Sequence, residues 1–164
     1  MLAGLLLLGA CNGNGTSGSA QEGGSAPARG MLLGAPTLEQ NLPGAALLTQ
    51  LQSATDQRLL SLGGTPVCDI AIYHFEYETI GGAHESTTAS GGLMVPSGSN
   101  PACAGPRPIV LYAHGTTTER QFDIANLDDP QNAEGLLLAA FFASQGDIVV
   151  APNYAGYDTS SLPY

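Results

Sequence analysis

Two short apolar runs, Ile109–Ala113 and Asp147-Ile-Val-Val-Ala151, stand on either side of a helical pattern, and that arrangement restricts the fold more than any other feature. An unbroken apolar run of this length marks a strand covered on both faces. Between the runs, Asp129-Pro130 reads as an N-cap followed by proline at the first helical position. The helix is predicted over 130–145, through Leu136-Leu-Leu-Ala-Ala-Phe-Phe142, with Gly146 as its stop. Strand, helix and strand make a βαβ unit, whose crossover is right-handed and whose strands lie parallel in one sheet. The fold class is therefore α/β.

Upstream, residues 68–80 alternate. Ala71, Tyr73, Phe75 and Tyr77 share one face, and Ile70 and Ile72 share the other with His74, Glu76 and Glu78. Gly81-Gly82 and polar residues follow, and Ser86–Pro96 returns as a second strand, so the pair reads as an antiparallel hairpin. Gly44–Leu62 carries apolar residues at helical spacing before Gly63-Gly64 and is predicted as one helix. The polar stretch from Thr116 to Asp129 is long for a connection, and loops of that length tend to be functional.

Composition removes one class of function. The formal net charge is −10, with no lysine and only four arginines, scattered along the chain. No basic stripe exists to neutralise phosphates, so nucleic acid is excluded as a partner.

The N-terminus reads as an export signal. Leu2–Leu8 is too short an apolar run to span a bilayer and fits a signal-peptide core. Its Leu8-Gly9-Ala10-Cys11 ending resembles a bacterial lipoprotein cleavage box, which implies lipidation of Cys11, a membrane anchor and an envelope or secreted location. Residues 12–36, rich in Gly, Ser and Ala, read as a flexible linker, leaving 37–164 as the folded part. Export makes Cys68 and Cys103 candidates for a disulfide, with two buried thiols as the alternative. The bridge would stabilise the fold by about 3–4 kcal/mol.

Val110-Leu-Tyr-Ala-His-Gly-Thr116, Phe141-Phe-Ala-Ser-Gln-Gly146, Val149-Val-Ala-Pro-Asn-Tyr-Ala-Gly-Tyr157 and Leu162-Pro-Tyr164, in that order, resemble the α/β-hydrolase superfamily, above all secreted lipases and esterases. The likeness covers residues 66–164 and departs at Asn153, where those enzymes usually carry aspartate. It implies a mostly parallel sheet preceded by the antiparallel hairpin, an ester substrate and no cofactor. It also implies that His114-Gly115-Thr116 forms the oxyanion loop, with the Thr116 backbone N–H as donor and His114 holding the turn. Thr117 and Thr118 would sit at the acyl rim, and Tyr154 and Tyr157 would line the pocket, with packing in the core or at the rim as their alternative. Asp123 and Glu119 read as solvated loop charges.

The nucleophile elbow Gly-x-Ser-x-Gly is absent after any strand, and the last histidine is His114, ahead of where the nucleophile belongs. No triad can be assembled, so the expectation is the N-terminal portion of a longer serine hydrolase, incomplete at its C-terminal side and inactive by itself. A prolyl-oligopeptidase-type peptidase and a non-catalytic lipoprotein that binds through the hydrolase sheet are the alternatives. Metal binding by His74, Glu76, His84 and Glu85 is a weak one, since their spacing matches no recognised ligand pattern.

Overall fold

The computed structural model describes residues 29–53 and 58–163. Five strands form one sheet: β1 (Thr37–Leu42), β2 (Asp69–Ile80), β3 (Ser86–Ser97), β4 (Ile109–Leu111) and β5 (Ile148–Tyr154). Their spatial order is β1-β2-β3-β5-β4. The predicted hairpin is β2–β3, paired in register from Asp69↔Ser97 to Ile80↔Ser86. The predicted parallel pair is β4–β5, with Val110 opposite Val149.

The sheet as a whole is mixed. β1–β2, β2–β3 and β3–β5 are antiparallel, and only β4–β5 is parallel, so the mostly parallel sheet expected from sequence is not what these strands form. The hairpin is the reason: β5 returns beside β3, not beside a second crossover strand. β1 also went unread. Its residues alternate poorly, and the strand gains its place by pairing with β2 through a bulge between Leu38 and Gln40. The stretch before it is not wholly linker. Leu32 bridges Tyr77, and Gly30 N–H donates to Glu78 O at 2.7 Å. The rest of the linker, 12–28, lies outside the described residues, as does Cys11.

The predicted helix over 44–62 appears as α1 (Gly44–Ser53) and α2 (Arg58–Gly63), with 54–57 outside the described residues. α3 spans Ala133–Phe141, shorter than predicted, because Asn132 and not Asp129 caps it. The Asn132 side chain accepts from Gly135 N–H at 2.9 Å, while the Asp129 carboxylate turns to the N–H of Gln131. A 3-10 turn, Ala143–Gln145, follows, and Gly146 ends it at φ 111°, a left-handed conformation that suits glycine.

One sheet face carries the core. Ile70 and Ile72 of β2, Met94 of β3, and Val149 and Ala151 of β5 pack with Leu47, Leu51, Ile124 and Leu138. Gly91 and Gly92 of β3 allow the close approach this packing needs. A Cβ at 91 would stand 2.7 Å from Ala151 O, and one at 92 would stand 2.8 Å from Ile124 Cγ2. The Cys68–Cys103 disulfide is formed, tying the start of β2 to the turn after β3.

The other face holds an apolar groove of about 400 Å³ between Phe75, Tyr77, Leu93, Leu111, Val150 and Pro152. No helix among the described residues covers it. β4 is accordingly not buried on both faces as expected: Val110 packs on the core, but Ile109 and Leu111 are 69% and 75% exposed. Among the described residues β4 is the edge strand, with one neighbour and one covered face.

Candidate functional site

Beyond Leu111 the chain leaves the sheet at Tyr112, whose N–H still donates to Val150 O, and enters the turn His114-Gly115-Thr116. His114 is 7% exposed and fixes that turn from below. Its Nδ1 lies 2.6 Å from Gly115 O and its Nε2 lies 3.1 Å from Asn153 O. Its ring stacks on Tyr154, with centroids 4.3 Å apart, and contacts Phe122 and Tyr157. Both ring nitrogens are thus turned to backbone carbonyls, an arrangement suited to holding a loop and unsuited to a general base.

The turn opens on a cavity of about 200 Å³ lined in part by His114, Gly115, Thr116, Thr117, Phe122 and Glu134. Among the described residues no hydrogen bond engages the backbone N–H of Thr116. The N–H of Gly115, by contrast, faces the Glu134 carboxylate at 3.3 and 3.4 Å. Glu134 stands in the first turn of α3, where the helix dipole favours an anion, and also accepts from the Tyr112 hydroxyl at 2.8 Å. Partial burial and this carboxylate together raise the Tyr112 pKa. A Cβ at 115 would stand 3.2 Å from Glu134 Oε1, so glycine leaves the carboxylate room to approach.

The other residues singled out from sequence divide. Thr117 lines the cavity; Thr118 is exposed and outside its lining. Tyr154 and Tyr157 do not line it either. They brace the loop, the Tyr154 hydroxyl donating to His114 O at 3.3 Å and the Tyr157 hydroxyl to Thr117 O at 2.9 Å. Tyr154 does this from a left-handed conformation, φ 65°, uncommon for a bulky residue and typical of functional turns.

Behind the loop lies a polar network that sequence reading missed. Asn153 is fully buried. Its Oδ1 accepts from Ile124 N–H at 2.9 Å, and its Nδ2 donates to Ser90 Oγ at 2.9 Å and to Asp123 Oδ1 at 3.0 Å. Ser90 Oγ donates in turn to Asp158 Oδ2, which also receives His74 Nε2 at 2.8 Å. Asp123 is therefore half-buried and bonded, not the solvated loop charge expected. Burial works against a charged His74 ring, but the Asp158 hydrogen bond and the charges of Asp123, Asp158 and Glu76 outweigh it and raise its pKa. Ser90, Asp158 and His74 do not form a catalytic triad: the carboxylate sits between hydroxyl and imidazole, and Ser90 has no exposure. The one sequence signal was the asparagine at 153, where resembling enzymes carry aspartate.

The fold matches solved structures. The rice cell wall degrading esterase LipA from Xanthomonas oryzae is 31% identical, with a TM-score of 0.65, over 84% of this chain and 32% of the esterase. A ligand-bound form of that esterase matches with a TM-score of 0.64. A Legionella pneumophila protein classed only as a candidate hydrolase is 25% identical, with a TM-score of 0.59, over 80% of this chain and 32% of that one. The fold is thus esterase-like, and the chain spans about a third of the length of the structures it resembles. No family model and no curated protein matches the sequence.

Proposed function

We propose that this chain is the N-terminal part of an exported serine hydrolase acting on carboxylic esters, and that it supplies one wall of the acyl site. The observation that carries the reading is the unengaged N–H of Thr116 at the mouth of a cavity, on a turn pinned by His114 and two tyrosines. A backbone donor that is already oriented and has no partner can take up developing negative charge without reorganising, which is what an oxyanion hole requires. Likeness to an esterase over most of the chain supports the reaction class. The nucleophile, the acid and the base belong to the part of the protein that corresponds to the remaining two-thirds of such an esterase. The bare face of β4 and the apolar groove are suited to packing against that part. The disulfide accords with an oxidising compartment, and the Leu-Gly-Ala-Cys11 signal supports a lipid anchor there.

A fluorophosphonate probe on the full-length protein tests the reading. A single serine is labelled if it holds, and a folded protein that resists the probe refutes it. Thr116→Pro, which deletes the N–H, then lowers ester kcat about 10²–10³-fold with circular dichroism unchanged. Undiminished turnover would remove Thr116 from the oxyanion hole.

A further inference from the structure

The polar network has a property that the ester-hydrolase reading does not use. His74, Asp123 and Asp158 come from β2, from the loop after the His-Gly turn and from the loop after β5, and each offers one ligand atom within 4.8 Å of the others. We propose that these three side chains bind a divalent transition metal, zinc in the first instance, that pins both loops to the hairpin.

Charge is the first reason. Two half-buried carboxylates face one imidazole, and among the described side chains no arginine bonds to them. Arg107 donates to the carbonyls of Pro96 and Cys103, Arg120 to that of Ser160, and the chain has no lysine. With the ring neutral, the pair carries two negative charges, which one divalent ion balances. Nearby Glu76 adds further negative potential.

Orientation is the second. Metal-bound carboxylates are usually held by hydrogen bonds from outside the ligand set. Here the fully buried Asn153 and Ser90 supply them, Asn153 Nδ2 to Asp123 Oδ1 and Ser90 Oγ to Asp158 Oδ2. Among the described residues, Asp123 Oδ2 and Asp158 Oδ1 accept no hydrogen bond and are open to an ion.

The donor set selects the metal. Calcium and magnesium prefer oxygen alone, whereas one imidazole with two carboxylates suits zinc and its neighbours, leaving a position for water. Zinc bonds of about 2.1 Å place tetrahedral donors about 3.4 Å apart, so closure needs shifts on the order of 1 Å. On binding, His74 Nε2 gives up its hydrogen bond to Asp158 Oδ2, which keeps that of Ser90, and any proton on Nε2 leaves. Glu76, His84 and Glu85, considered from sequence, are not in this group.

The full chain, with its disulfide intact and stripped by EDTA, is titrated with Co²⁺. A visible absorption band that saturates at one equivalent and is displaced by Zn²⁺ is expected, with a higher thermal midpoint in the loaded protein. His74→Gln and the near-isosteric Asp123→Asn abolish the band, and His84→Gln leaves it. Absence of stoichiometric binding in the unsubstituted protein overturns the proposal, whatever the variants do. Persistence of the band in His74→Gln, or its loss in His84→Gln, overturns it equally.

Discussion

Asn153→Ala removes a side chain that makes three hydrogen bonds, two buried ones to Ile124 N–H and Ser90 Oγ at 2.9 Å each and a part-buried one to Asp123 Oδ1 at 3.0 Å. At about 1 kcal/mol each, the lost bonds amount to about 3 kcal/mol. Ile124 lies in the core and its N–H has no other acceptor among the described residues, so leaving it orphaned adds about 1–2 kcal/mol. The expected loss is about 4–5 kcal/mol, read by urea unfolding at neutral pH. Asn153→Asp separates the donor role from the acceptor role. It keeps the acceptor for Ile124 but sets an oxygen against the Asp123 carboxylate, where an N–H had been. Two carboxylates at that distance resist joint ionisation, so the introduced carboxyl titrates above its ordinary range in the folded state. Its folded pKa lies above its unfolded one, so the penalty is largest at high pH and fades as pH falls through the folded value. Measured against the unsubstituted protein, Asn153→Asp should recover stability as pH falls towards the ordinary aspartate range. A loss below about 1 kcal/mol for Asn153→Ala, or a pH-independent deficit for Asn153→Asp, would show that the network does not hold the loop.

Replacing Cys68 and Cys103 by serine opens a loop with a sequence separation of 35 residues and should cost about 4 kcal/mol by the chain-entropy relation, seen as a lower calorimetric midpoint that reductant no longer shifts. His74 has a raised folded pKa, so its pairing with Asp158 stabilises fully below the ordinary histidine value and is lost as pH rises through the folded one. In EDTA, His74→Gln should flatten that fall in stability above about pH 6.5, and an unchanged slope would assign it to another group. Glu134→Gln should lower the Tyr112 pKa, followed by ¹³C NMR of the tyrosine Cζ resonances, since the charged acceptor at 2.8 Å is gone.

Much of the secondary structure was legible because it rests on local pattern. Strict alternation in 68–80 and its polar turn specified β2–β3, and two apolar runs around a helix specified the β4–β5 crossover. The even pair of cysteines left a disulfide and two buried thiols both open, and the structure shows the disulfide. Helix limits were less legible. The local Asp-Pro signal lost to Asn132, whose Nδ2 also donates to the carbonyls of Asp123, Ile124 and Asn126, so one residue caps α3 and ties down the loop. β1 has almost no pattern of its own and exists because β2 offers an edge.

At the candidate site, the apolar strand running into His-Gly marked a turn at His114-Gly115-Thr116, and only the resemblance to α/β-hydrolases singled that turn out as a candidate site. Sequence by itself therefore determined the crossover and the hairpin, while the structure decided between a bridge and two free thiols at Cys68 and Cys103. Only the tertiary structure decided that Tyr154 and Tyr157 brace that turn, and that Glu134 faces Gly115. It alone brought His74, Ser90, Asp123, Asn153 and Asp158 into one network across separations such as the 84 residues between His74 and Asp158. The physical reason is range. Strand and turn preferences act between near neighbours, while hydrogen bonds and charge pairs depend on which side chains the packed sheet and loops bring within about 3 Å.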